Sequence, residues 1–190
     1  MITAEQHQAA LTPTILTSKG TYFDFATPAK SQIDVEIIAH ALANLCRFTG
    51  HCREFYSVAQ HAVVVSYLTP PEFAYEGLHH DDAEAFVGDM ASPLKKMIPG
   101  YKVIEQYIEA EVFRRMGMPS VLPPAVKAAD LVALRTEQRD LMHIDGGLWT
   151  SLDGVEPAEF LIKPLPPRLA REIYLERHAE LLAARAARTC

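Results

Sequence analysis

Residues 33–48 read IDVEIIAHALANLCRF, and the spacing of their apolar positions decides the class of fold. Ile37, Ile38, Ala41, Leu42 and Leu45 recur at steps of three and four, which lines them along one side of an α-helix. Asp34 stands just ahead of that stripe. Its carboxylate suits an N-cap, because it can accept from the backbone N–H groups that the first turn leaves unpaired.

The same reading repeats outward from this helix. Ser57 predicts the cap of a second helix running to about Leu68. Pro70 and Pro71 then break the chain and open a third helix through Phe86, which Gly88 ends. Ser92 and Pro93 look like a cap followed by proline in the first turn. A long helix from about Tyr101 to Met116 stops at Gly117 and Pro119, and another runs from Pro123 and Pro124 to about Met142. A Gly- and Asp-rich loop follows from Asp145 to Pro157. The turn from Pro164 to Pro167 launches a closing helix to about Ala187, with Leu169, Ile173 and Leu182 as its expected buried positions. Strand signals are confined to the first 30 residues, where Thr21 to Phe25 predicts a short strand or hairpin arm. The expected fold is an all-α helical bundle in one domain over 1–190: an arm over 1–30, a core over 31–143, and a loop with a closing helix over 144–190.

The chain has 190 residues, 49% of them hydrophobic and 22% charged, the balance of a globular protein able to bury a core without staples. Its formal net charge of −6 argues against a broad basic surface for nucleic acid, though a local cationic pocket could still take a small anion. Cys46, Cys52 and Cys190 are odd in number and form no C-x-x-C pair, so neither a disulfide framework nor a sulfur-rich zinc site is expected. No apolar run reaches the ~18 residues of a membrane span, and the start lacks the basic and apolar regions of a signal peptide. The expectation is a cytoplasmic protein.

Chemistry concentrates in three of the predicted helices. His61 lies in the second, His80 and Asp81 are adjacent in the third, and Asp130 falls in the helix opened by Pro124. Imidazole and carboxylate together suit a divalent ion such as Mn, Co, Fe or Zn. A lone helical histidine is more often a surface or satisfied core residue, however. Adjacent helical positions also lie about 100° apart, so spacing alone leaves both readings open.

The neighbours favour a site. Glu84 follows His80 by four residues and Asp81 by three, one turn along the same face. Asp89 comes after Gly88, where the chain can turn back. Leu78, Ala83, Ala85, Phe86 and Val87 surround these groups, and carboxylates among apolar residues need a cation or a proton. His79 and Asp82 read as flanking residues. His40 and His178 read as half-exposed, and Lys95 as solvated although it could meet a phosphate. Glu137 either stands behind Asp130 or, beside Arg135 and Arg139, forms a surface ion pair; the second is favoured.

The order His61, then His80-Asp81, then Asp130 resembles the HD-domain metal-dependent phosphohydrolases. The closer resemblance is to the YfbR-like 5′-deoxynucleotidases, through YSVAQHAVVVS (56–66), LHHDDAEAFVGDMASPLKK (78–96) and KAADLVALRTEQRDLM (127–142). It covers Arg47 to Met142, and its more specific parts are HD-x-x-E-x-x-x-x-D and the SPLK that follows.

The resemblance implies one divalent metal ion held by His61, His80, Asp81 and Asp130. It makes Glu84 the glutamate beside the attacking water and Asp89 a second catalytic carboxylate that also meets substrate. Arg47 would bind the substrate phosphate, although the step to His61 is one residue short and Arg53 is the alternative. Phe48 stands where those deoxynucleotidases carry a tryptophan against the sugar 2′-position, so exclusion of ribonucleotides stays open.

The implied activity is release of phosphate from nucleotides, foremost 5′-(deoxy)nucleoside monophosphates, with a homodimer as the implied assembly. Alternatives are hydrolysis of nucleoside triphosphates or guanosine tetraphosphate, and a nucleotide-binding module without catalysis. The guanosine-type enzymes usually read HDTVED where this chain reads HDDAEA. A dinuclear HD oxygenase would need histidines between the dyad and Asp130, and residues 82–129 contain none.

Overall fold

The computed structural model describes residues 13–143 and 149–188, and among them helices dominate. The chain opens on a two-stranded antiparallel hairpin. In it β1 (Thr14–Leu16) pairs with β2 (Tyr22–Asp24), with Thr14 opposite Asp24 and Leu16 opposite Tyr22. The strand expected at Thr21 to Phe25 is present. Phe23 pins it to the bundle, fully buried and stacked on Phe86 with ring centroids 4.0 Å apart.

Helix α1 (Val35–Asn44) begins where its cap was expected: Asp34 accepts from the N–H groups of Glu36 and Ile37 at 3.1 and 3.0 Å. It buries Ile37, Ile38 and Leu42. Helix α2 (Val58–Leu68) is likewise capped by Ser57, which accepts from the Gln60 N–H at 3.1 Å. Residues 58–63, Val65 and Ser66 of α2 are all buried, so this helix has no solvent side over most of its length. Such all-round burial marks a central helix. It packs against α1 and against three helices still to come: α3 (Ala74–His79), α7 (Pro124–Leu141) and α8 (Pro167–Arg188).

The continuous helix expected through Phe86 is broken. A 3₁₀ turn (Pro71–Phe73) leads into α3, and after a turn over residues 80–83 comes α4 (Glu84–Val87). Across this break the backbone bonds run three residues back: Glu84 N–H to Asp81 O at 2.9 Å, Ala85 to Asp82 at 3.2 Å and Phe86 to Ala83 at 3.0 Å. Three residues per turn stack positions i and i+3, so Glu84 lies directly over Asp81. Gly88, at φ 81°, closes α4 in the left-handed region that glycine enters without cost.

Helix α5 (Ser92–Met97) starts one residue earlier than read: Ala91 occupies the cap position, and no side chain caps it. Helix α6 (Pro99–Arg115) and α7 keep close to their expected bounds. In α8 the buried stripe differs from the expected one. Ala170, Tyr174, Arg177 and Leu181 face inward, Leu169 and Ile173 are half-buried, and Leu182 is 50% exposed. One member of the buried stripe is polar. Arg177 shares the buried face, where its Nε donates to Ser66 Oγ at 2.8 Å. Part of the loop expected at Asp145 to Pro157, residues 144–148, lies outside the described residues, as does Cys190.

Candidate metal centre

His61 sits in the middle of central helix α2, fully buried. Its Nδ1 lies 2.6 Å from Glu137 Oε1 on α7. The Arg47 and His61 charges hold the buried Glu137 carboxyl below its usual range, against the upward push of burial. An ionised carboxylate can only accept, so Nδ1 carries a proton toward Glu137, and Nε2 is the ring atom left free to serve a ligand once it gives up its own proton. His80 is oriented the same way. Its Nδ1 donates to the Gly77 carbonyl at 2.9 Å, which leaves Nε2 as the atom turned to the carboxylates.

Both Nε2 atoms are buried without a hydrogen-bond partner, and both face the same two carboxylates. His61 Nε2 lies 3.6 Å from Asp81 Oδ2 and 3.4 Å from Asp130 Oδ1; for His80 Nε2 the distances are 3.2 and 4.0 Å. One ligand atom each from His61, His80 and Asp130 falls within 4.8 Å of the others. Asp81, on the break after α3, stands beside the two imidazoles but outside that three-residue group. The chain thus gathers four acceptor atoms, from α2, from the turn after α3 and from α7, around one small volume.

Acceptors gathered this way call for positive charge. Burial and Arg47 press the His61 pKa down, yet Glu137 and Asp130 outweigh them and raise it to about 9. His80 is also raised, with Asp81 outweighing burial. Asp81 and Asp130 are held well below the usual carboxylate range by the histidines they face, against the opposing effect of burial. The set holds cationic charge, and its oxygen and imidazole donors fit a divalent ion.

Arg47 opens a 3₁₀ turn (Arg47–Gly50) in which Phe48 and Thr49 take φ values of 53° and 55°. Two consecutive non-glycine residues in the left-handed region cost roughly 1–2 kcal/mol each. The arginine that this turn directs inward is buried. Its Nε and Nη2 donate to Glu137 Oε2 at 3.2 and 3.1 Å, while Nη1 stands 3.9 Å from both Asp81 Oδ2 and Asp89 Oδ2. The Phe48 ring centroid lies 5.2 Å from the guanidinium carbon, and the same ring meets Trp149 at 5.8 Å. Arg53 goes elsewhere. It is exposed and lines a cleft of about 420 Å³ with Glu54, Asp140 and Lys163 among its neighbours. Of the two arginines, the structure brings Arg47 to the acidic cluster.

Glu84 is buried with its Oε2 unpartnered, and burial together with Asp81 and Asp89 pushes its pKa well above the ordinary value. Asp89 is raised by burial and by Asp81, against the pull of Arg47.

Lys95, expected to be solvated, is in fact paired. Its Nζ lies 2.6 Å from Glu105 and 3.8 Å from Glu84, and 5.8 Å from the centre of the Tyr101 ring. Glu105 and Glu109 on α6 are functional-site neighbours that the sequence reading missed. The half-buried Glu109 is raised by burial and by the charges of Glu105 and Asp81. Only helical phase along a mostly polar helix could have found them.

Three further expectations change. Glu137 is not a surface ion pair: it is fully buried and bridges His61 and Arg47. Its partner is not the neighbouring Arg139, which pairs with Asp140. His79 and Asp82 do more than flank. They are buried, with His79 Nδ1 donating to Asp82 Oδ2 at 2.7 Å, and they tie the turn to Tyr174 and His178 of α8. His40 is exposed, while His178 is half-buried as expected.

No family model matches the chain. It is 44% identical to the uncharacterized protein YfdR of Escherichia coli over 168 residues, which cover 88% of this chain and 94% of YfdR. Over 182 residues it is 32% identical to an uncharacterized protein of Rhodobacter capsulatus, covering 86% and 92% of the two chains. A shorter stretch of 100 residues is 28% identical to a 5′-deoxynucleotidase of Pasteurella multocida, covering 53% of this chain and 43% of that protein. Among the described residues, no helix is long and apolar enough to cross a membrane.

Proposed function

The chain belongs to the family of the Escherichia coli protein YfdR, and from that premise we propose that it is a metal-dependent nucleotide phosphohydrolase of the HD-domain type. Its substrates are 5′-nucleotides, foremost (deoxy)nucleoside monophosphates, and each chain holds one divalent ion through His61, His80, Asp81 and Asp130. The observation that carries this reading is the pair of buried, unpartnered Nε2 atoms facing Asp81 and Asp130 beside a buried arginine. The partial similarity to a 5′-deoxynucleotidase supports the choice of substrate class.

A phosphate monoester brings negative charge into a site already rich in carboxylates, so cations must offset it. A bound divalent ion supplies a Lewis acid for a phosphoryl oxygen and makes water a stronger nucleophile near neutral pH. Arg47 contributes the other fixed positive charge: with Nε and Nη2 committed to Glu137, its Nη1 is the arm directed toward the cluster.

Glu84 accepts the proton of the attacking water. Burial beside Asp81 and Asp89 raises its affinity for a proton, which favours that transfer. Asp89, also raised, delivers a proton to the departing 5′-oxygen. The water oxygen bonds to phosphorus as the phosphorus–O5′ bond breaks, giving a nucleoside and inorganic phosphate. Phe48 lies against Arg47 with Trp149 beyond it, and the two rings offer an apolar wall for the nucleoside.

The test is phosphate release from a panel of ribo- and deoxynucleoside mono- and triphosphates with Mn²⁺ or Co²⁺, beside metal analysis of the same protein. About one ion per chain is expected, with turnover of monophosphates and loss of both in Asp81→Ala. Metal-loaded protein that binds nucleotides but releases no phosphate from any of them refutes the enzymatic reading.

A further inference from the structure

We infer that Glu137 is a positioning residue whose single carboxylate sets both the metal-facing lone pair of His61 and the phosphate-facing arm of Arg47. The inference rests on the metal role proposed for His61 and adds the device that holds the two halves of the site in register.

The geometry divides the carboxylate cleanly. Oε1 accepts from His61 Nδ1 at 2.6 Å, and Oε2 accepts from Arg47 Nε and Nη2 at 3.2 and 3.1 Å. Glu137 is fully buried, so water cannot substitute at either oxygen. Three N–H donors from residues 76 and 90 positions away meet on one side chain that only accepts. The first contact keeps the His61 proton on Nδ1 and the Nε2 lone pair toward Asp81 and Asp130. The second occupies the Nε–Nη2 edge of the guanidinium and turns Nη1 toward Asp81 and Asp89, 3.9 Å from each. Hydrogen-bonded partners behind a metal-binding histidine fix its tautomer and ring orientation in this way.

Glutamine at this position has the same shape but half the acceptors, and its amide must choose a partner. The guanidinium is charged and cannot give up its protons, so the amide oxygen stays with Arg47. The amide NH₂ then faces His61 Nδ1. Donor against donor forces the imidazole into its other tautomer, with the proton on Nε2, where it blocks a metal ion. Removing Arg47 as well frees the amide oxygen to turn to His61. The double variant should therefore recover what the single one loses, an outcome that a merely structural role does not produce.

The experiment measures Co²⁺ affinity of the full chain in four forms: wild type, Glu137→Gln, Arg47→Met and the double variant. Glu137→Gln is expected to bind Co²⁺ 10- to 100-fold more weakly than wild type. Arg47→Met should stay near the wild-type value, and the double variant should return to within a few-fold of Arg47→Met. In Co²⁺-saturated protein, Glu137→Gln should leave KM for a deoxynucleoside monophosphate near the wild-type value, because the amide oxygen still holds Arg47. Wild-type affinity in Glu137→Gln overturns the inference. So does a double variant that binds as weakly as a Glu137→Gln protein is expected to, a comparison with Arg47→Met that holds even where Glu137→Gln alone fails to fold. A wild-type chain that takes up no Co²⁺ refutes the metal reading itself, a result distinct from either.

Discussion

Tyr174→Phe removes one oxygen atom from the middle of the closing helix, and the structure assigns that atom a measurable worth. Tyr174 is fully buried, so a phenylalanine ring keeps the packing and loses only the hydroxyl. That hydroxyl donates to Asp82 Oδ1 and lies 3.0 Å from His79 Nδ1, which itself donates to the other oxygen of Asp82 at 2.7 Å. Asp82 is 0% exposed in its side chain, so no solvent replaces the lost donor. A buried acceptor left without its donor costs about 1–3 kcal/mol. For a chain of this length, each kcal/mol lowers the melting temperature by about 2–4 °C.

The same change should reach the metal site. His79 and Asp82 bracket His80 and Asp81 in the chain, and their anchorage to α8 holds the turn that aims both. Urea unfolding followed by circular dichroism would read the stability loss, with an unchanged m-value as the sign of an intact native fold. Co²⁺ affinity on the same samples should fall alongside it. Stability within about 0.3 kcal/mol of wild type would mean that Asp82 finds another donor, and the anchoring argument would fail.

Glu84→Gln should leave Co²⁺ binding intact while nucleotide hydrolysis drops by ~10²- to 10⁴-fold, the usual cost of losing a general base; loss of the metal instead would make Glu84 a ligand. Metal uptake must displace protons from His61 and His80, whose pKa values are raised, that of His61 to about 9. Co²⁺ affinity should therefore climb as pH rises through neutrality and level off above that value, and a flat response between about pH 6 and 8 would contradict the paired histidines. Asp34→Ala should cost about 1 kcal/mol by removing the cap of α1, read in urea. Burial pushes the Asp34 carboxyl up, but the Ile37 N–H, Gln32 and Lys19 pull it below its ordinary value. Its contribution is thus complete above the unfolded value of about 3.9 and fades as pH falls through the folded one, so the gap between variant and wild type should close in acid.

Sequence by itself determined the elements that depend on local chemistry. The stripe from Ile37 to Leu42, the caps at Asp34 and Ser57 and the breaks at Pro70, Gly88 and Gly117 follow from helical period and from backbone groups seeking partners a few residues away. Residue type and order also singled out His61, His80 and Asp130, which the fold brings together, and Asp81, which it places beside the two histidines.

Tertiary structure decided the fate of charged side chains in the middle of helices. Glu137 sits between Arg135 and Arg139 in the chain and reads as a surface residue, yet it is buried by partners 76 and 90 residues distant. Lys95 reads as solvated and is held by Glu105, and Arg177 takes a core position that the sequence reading did not assign to it. A charged group can be buried only when its counter-charge and hydrogen bonds are in place. Those partners lie on other helices, so packing decides what local pattern cannot: which charges point to water and which build the site.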